Sequence, residues 1–191
     1  MTDTMVLTPA ASEDFARARK LSRVMAVLFT IGFWFTLLGA ILILGTPLDP
    51  IIERGGHGLV GHGVIVDGFS GMTVSLEGLS VIQCVWVMLA LEITIAPVVF
   101  LMHHTRRVFG HFAKGEIFVL PVIRHIRQAG LWLIVSFFAP IIGKLALNAL
   151  KLSHGQSHGT SWPLVIGVVT VIAAYVMEEA RRIAADHAEI V

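Results

Sequence analysis

Cysteine is almost missing from this chain of 191 residues: Cys84 stands alone, so no internal disulfide and no cysteine-rich zinc site can form. Charge is scarce as well. Asp, Glu, Lys and Arg make up 14% of the residues, against roughly 25% in an average globular domain, which excludes a disordered chain and argues against an ordinary cytosolic enzyme. Neither sign dominates, and a net charge of +1 offers no basic field for direct binding of nucleic acid. Enzyme signatures are missing too. There is no GxxxxGK followed by Ser or Thr, no HExxH, no GxSxG and no dinucleotide fingerprint behind a strand. Gly55-Gly56-His57-Gly58 is glycine-rich but opens no helix, so phosphate cradling is not expected of it. These absences lead to the expectation of a non-enzyme that needs no cofactor.

What the chain does have is apolar sequence, 55% of its residues, and a mean hydropathy of +0.81. A helix that crosses a bilayer needs about 20 mostly apolar residues. Four stretches meet that length, at about 21–44, 81–102, 129–150 and 162–177. The first carries no charge after Arg23 and is too long for the apolar region of a cleavable signal peptide. Pro97 and Pro140 lie inside the second and third stretches, where neighbouring helices can satisfy the freed carbonyls. The fourth starts on Trp162 and Pro163 and continues past Glu178 and Glu179 as an exposed helix, because both acids precede Arg182 at helical spacing.

The expected fold is an all-α membrane protein, one integral domain over 1–191. It consists of a four-helix transmembrane bundle, an outer loop at 45–80, a second loop at 103–128 and a helix at 178–191. Orientation follows the excess of Lys and Arg on cytoplasmic flanks. Arg17, Arg19, Lys20, Arg23, Arg106, Arg107, Lys114, Arg124, Arg127, Arg181 and Arg182 fall on one side, and Arg54 and Lys151 on the other. Both termini and the 103–128 loop are therefore expected on the cytoplasmic side of the membrane. The outer loop is rich in glycine. Its residues 64–66 and 72–76, around Asp67-Gly68-Phe69-Ser70-Gly71, read as a small β-hairpin that leans on the outer helix ends.

Three sets of polar residues stand out. Inside the spans, Glu92 lies near the midplane of the second, where a carboxylate costs about 2.5 kcal/mol or more and must face the interior, take a proton or find a partner. Lys144 in the antiparallel third span sits outward of it by less than about two helical turns. Gln83, Thr94 and Ser136 are alternative hydrogen-bond partners for the acid. Outside the membrane, His57, His62, His154 and His158 could offer imidazoles to zinc, nickel or copper. No carboxylate stands nearby at motif spacing, and glycines break the helix that the last pair would need, so solvated histidines are expected instead. On the basic side, Phe109, Phe112, Lys114, Phe118, Arg124 and Arg127 together with Glu178 and Glu179 mix aromatics with opposite charges. That mixture suits a protein partner, the anionic bilayer surface, or a mutual contact of the two elements. Gly32, Gly39 and Gly143 are expected to mark close helix packing, and a homo-oligomer is compatible with all of this.

Two segments carry a likeness to a known family. One is Phe112-Ala113-Lys114-Gly115-Glu116-Ile117-Phe118, followed by Ile123-Arg124-His125-Ile126-Arg127-Gln128-Ala129-Gly130. The other is the tail from Val176-Met177-Glu178-Glu179-Ala180 to Ala184-Ala185-Asp186-His187-Ala188-Glu189-Ile190-Val191. Together they resemble the bacterial membrane family catalogued as domain of unknown function 2975. The resemblance implies four spans, a turn before a basic helix start, an acidic C-terminal helix, and a membrane component paired with a small helix-turn-helix regulator. Val119-Leu120-Pro121 departs from the family's small polar helix start, so the third helix is expected to begin without the usual cap. The favoured function is a non-enzymatic protein that binds or regulates a cytoplasmic partner. A small transporter or proton-linked permease centred on Glu92 is the alternative.

Overall fold

The computed structural model describes residues 9–45, 64–67, 72–75, 80–151 and 161–188. Four helices dominate them: α1 (Pro9–Gly45), α2 (Val81–Lys114), α3 (Leu120–Ala149) and α4 (Trp162–Ala188). Each is long and apolar enough to cross a membrane, and the chain reads as a multi-pass membrane protein. Helices are what a hydrocarbon solvent demands of an open segment, since every backbone N–H and C=O must find its partner within the segment. Side-chain hydroxyls obey the same demand. Thr30, Thr36, Thr94, Ser136 and Thr170 each donate to a carbonyl three or four residues back on their own helix.

Two four-residue strands, β1 (Val64–Asp67) and β2 (Met72–Ser75), pair antiparallel, with Val64 opposite Ser75 and Asp67 opposite Met72. The rest of the expected outer cap, residues 46–63, 68–71 and 76–79, lies outside the described residues, as do His57, His62, His154 and His158.

Helix ends differ from those expected, for local reasons. Pro9 opens α1, a position where its missing N–H costs nothing, and no breaker intervenes before Gly45, so the basic residues at 17–23 are helical rather than a loose flank. Ser80 and Gln83 form a reciprocal capping box at the start of α2, the Gln83 Oε1 accepting from the Ser80 backbone at 2.9 Å. The loop expected at 103–128 shrinks to 115–119, because α2 runs on to Lys114 and α3 begins at Leu120. Basic residues do not stop a helix; a left-handed residue does. Gly115 has φ 82° and donates to the Phe112 carbonyl, while Glu116 donates to the His111 carbonyl, which is the pattern of a Schellman ending. The α3 start has no side-chain cap at Val119, and Pro121 occupies its first turn.

At about 1.5 Å per residue, the 34 residues of α2 extend about 51 Å, some 20 Å more than the hydrocarbon core needs. The surplus of α2 and the start of α3 form a two-helix stalk at the basic end. The four helices pack in chain order, each chiefly against the next. In the middle of the row, α2 and α3 bury Val87, Met88, Leu91, Val122, Ile123 and Leu147, whereas α1 and α4 bury little.

Glycines set two of the crossings. A Cβ built on Gly143 would stand 3.1 Å from the Ala90 carbonyl oxygen of α2. One built on Gly167 would stand 2.8 Å from the Gly130 carbonyl oxygen, and one on Gly130 would be 3.0 Å from that of Gly167. Backbones of α3 and α4 therefore touch at a reciprocal glycine pair. The packing role expected of Gly32 and Gly39 is not observed: Gly39 faces nothing within 4 Å, and Gly32 only the Met102 sulfur at 3.7 Å. Both sit on α1, which has one principal neighbour and leaves most of its circumference outward.

Candidate site at the basic end of the helices

The stalk brings together histidines that are far apart in the chain. His104 and His111 are seven residues apart on α2, two helical turns, and so share a face. His125 enters from α3, ten residues after Gly115 as His104 is eleven before it. The turn folds these positions onto each other. His104 Nδ1 and His125 Nδ1 lie 3.1 Å apart, and the His111 and His125 ring centroids 6.2 Å apart. His103 stands edge-on to His104 at 5.3 Å and to Phe33 of α1 at 5.9 Å.

Cations and an acid frame the imidazoles. The Arg106 guanidinium lies 3.3 Å from His103 Nδ1 and 4.2 Å from the Phe33 ring centroid. A guanidinium can only donate, so His103 Nδ1 accepts and its ring is held as the Nε2–H form. At the tip, His111 Nδ1 is 2.6 Å from Glu116 Oε2. That hydrogen bond holds the Glu116 carboxyl below the ordinary carboxylate range, outweighing the opposite push of desolvation, with the charges of His111 and Lys114 adding to it. Among the described residues no group of three or more His, Cys, Asp or Glu is placed to hold a metal ion. The cluster is suited to protons rather than to coordination.

The residues expected to dock a partner divide. Phe109 is stacked flat on Phe29 of α1, 5.4 Å between centroids and 9° between planes, and Phe112 meets Phe109 edge-on. Both are part of the α1–α2 contact. Phe112 also lines a cavity of about 110 Å³ with Phe15, Ala18, Arg19, Gly115 and Ile117, where α1 approaches the turn. Arg127 reaches Glu178 of α4 at 3.7 Å and lies 5.8 Å from the Tyr175 ring, so the loop-side and tail-side elements do engage each other. Exposed at or near the tip are Lys114, Phe118 and Arg124, Phe118 at 61%. Glu179 is exposed along α4.

Within the expected spans, the side chains considered as hydrogen-bond partners of Glu92 are engaged elsewhere. Gln83 belongs to the α2 cap, and the Thr94 and Ser136 hydroxyls donate to their own helices, so none of them donates to Glu92. The Glu92 Oε1 atom is covered and has no hydrogen-bond partner. Lys144 lies half-buried on α3.

None of His103, His104, His111 and His125 stands out in the sequence as a member of a cluster, unlike the outer His57, His62, His154 and His158. The signal was the near-equal spacing of 104 and 125 about Gly115, which becomes legible once that glycine is taken as a tight reversal.

Comparison with known proteins finds no matching family model, no similar curated protein and no matching solved structure. The class that the fold defines is therefore that of a helical multi-pass membrane protein with a two-helix stalk.

Proposed function

We propose that this chain is a non-enzymatic protein of the bacterial cytoplasmic membrane that binds or regulates a cytoplasmic partner at the tip of the α2–α3 stalk. The observation that carries the reading is the tip itself. A turn held by Gly115 presents Phe118 with Lys114 and Arg124 outward, while the aromatics below it pack inward. An exposed aromatic among cations fits an acidic protein surface. The likeness to the bacterial family described above makes a helix-turn-helix regulator the kind of partner to seek. In this reading both termini are cytoplasmic, and the β1–β2 pair belongs to a glycine-rich hairpin that caps the outer helix ends. The lipid bilayer is the other partner, through the basic flanks.

Orientation is checked first. A reporter active only in the cytoplasm, fused after Val191, gives full signal, and the same reporter inserted after His62 gives none, because eleven of the 14 Lys and Arg lie on one side. The reverse pattern overturns the topology. Docking is checked by a photo-crosslinking residue at position 118 or, as the outer control, at 69. A soluble protein joined from 118, not from 69, and lost in Lys114→Glu/Arg124→Glu, is the expected result. Capture only from 69, or capture indifferent to the two charges, discards the docking reading.

One atom favours a second reading, a small transporter or proton-linked permease centred on Glu92: a covered carboxylate oxygen without a partner is what an ion or proton pathway uses.

A further inference from the structure

Hydrogen bonding between two imidazoles obeys a counting rule. Across the 3.1 Å between His104 Nδ1 and His125 Nδ1, one nitrogen must carry a hydrogen and the other must offer a lone pair. Two neutral rings in opposite tautomers satisfy this, and so does one neutral ring facing one imidazolium. Two imidazoliums cannot, because both nitrogens then carry hydrogens and like charges meet at contact distance. We propose that the His104–His125 contact is a proton-operated joint, which holds α2 and α3 together at the foot of the stalk near neutral pH and releases them when both rings are protonated.

The surroundings favour release rather than tolerance of the second charge. From α2 the pair faces His103, Arg107 and His111, with Arg106 engaged on His103. From α1 this level receives the Phe29 and Phe33 rings, which bring no anion. The α4 carboxylate of Glu178 is engaged by Arg127. Glu116, the acid on this face of the stalk, is held by His111 at the tip. Because its carboxyl lies below the ordinary range, that contact persists as pH falls through the histidine range and fails only in stronger acid. The foot therefore opens while the tip stays closed. Opening swings the stalk about its tip turn and changes the angle at which Lys114, Phe118 and Arg124 leave the membrane. The joint itself requires nothing of the docking reading.

The test uses the full chain in lipid nanodiscs with the buried cysteine removed, Cys84→Ala. Spin labels go at Gly110→Cys, where a Cβ meets nothing within 4 Å, and at Gln128→Cys, which is exposed. Distances are read at about pH 7.5 and about pH 5, either side of the ordinary histidine value near 6.5. One short distance should dominate at the higher pH, with about half or more of the population moving to a longer one at the lower. His125→Asn, whose amide can donate or accept at either pH, should keep the short distance throughout. An unchanged distance in the parent protein, an equal change in His125→Asn, or a change that needs added zinc and vanishes with chelator overturns the joint. Should the substitution fail to fold, nitrogen-15 spectra of histidine in the unsubstituted chain decide. A shared Nδ1 hydrogen lost together with the short distance is expected, and two Nε2–H rings that do not titrate in this range refute it.

Discussion

Gly167→Leu is expected to detach α4 from the rest of the molecule and lower the thermal unfolding midpoint in detergent by on the order of 10 °C. No space exists for the side chain. Its first carbon alone would sit 2.8 Å from the Gly130 carbonyl oxygen and from Ile134 Cγ1, and 3.0 Å from the Ile134 nitrogen. Two of these three are backbone, which cannot rotate aside. Overfilling a packed contact by even a few methylenes costs about 1–3 kcal/mol, and here there is little to offset it. Lipid tails are as apolar as leucine, so helices in a bilayer associate through close packing rather than through removal of apolar surface from water. α4 packs chiefly on α3, and losing that crossing leaves mainly the Arg127–Glu178 pair, partly exposed and worth little. Gly130→Leu should behave alike, since its Cβ would meet Val171 Cγ2 at 2.8 Å, and Gly39→Leu should leave the midpoint unchanged. Equal midpoints for Gly39→Leu and Gly167→Leu would show that the helices are not in backbone contact there.

That contrast also explains which features could be read from the chain. The four spans were legible because bilayer thickness imposes a length and the backbone imposes a helix, both visible as runs of apolar residues. Which glycine touches a neighbour was not legible, because lipid and protein are equally apolar and no polar stripe marks the facing side. Gly39 and Gly167 stand in similar sequence, and one faces open space while the other meets a backbone. The extent of the basic loop was not legible for another reason: Arg106, Arg107 and Lys114 ride on α2 as readily as on a coil, and only Gly115 marks where the helix ends. Of the docking residues, composition identified Phe109, Phe112 and Phe118 as a group, but only the course of α1 decides that Phe109 stacks on Phe29 while Phe118 stays exposed. The histidine joint depends on a reversal at Gly115, beside an α3 start that has no side-chain cap at Val119.

Glu92→Lys is expected to remove most of the folded protein, whereas Glu92→Gln is expected to fold as the parent does. Position 92 lies about ten residues, or about 15 Å, from either end of the expected 81–102 span, too deep for a lysine stem to carry its ammonium to the interface. An ammonium at that depth costs about 2.5–3.5 kcal/mol on insertion scales, and every 1.4 kcal/mol is tenfold in an equilibrium, so a loss of roughly a hundredfold in the folded ratio follows. Glutamine keeps the size of the side chain and its hydrogen-bonding capacity without a charge, and its carbonyl oxygen can stand where Oε1 stands without a partner. Monodisperse yield and unfolding midpoint in detergent measure both variants, with Lys144→Met beside them. If Gln at 92 unfolds the protein while Lys144→Met does not, the acid answers to some group other than Lys144, and the pairing expected from their depths is wrong. Proton flux into vesicles carrying the parent, abolished in a well-folded Glu92→Gln, would transfer the functional reading from the stalk tip to the membrane interior. A parent with no flux leaves the partner-binding reading in place, and Glu92 then acts only through the cost of its burial.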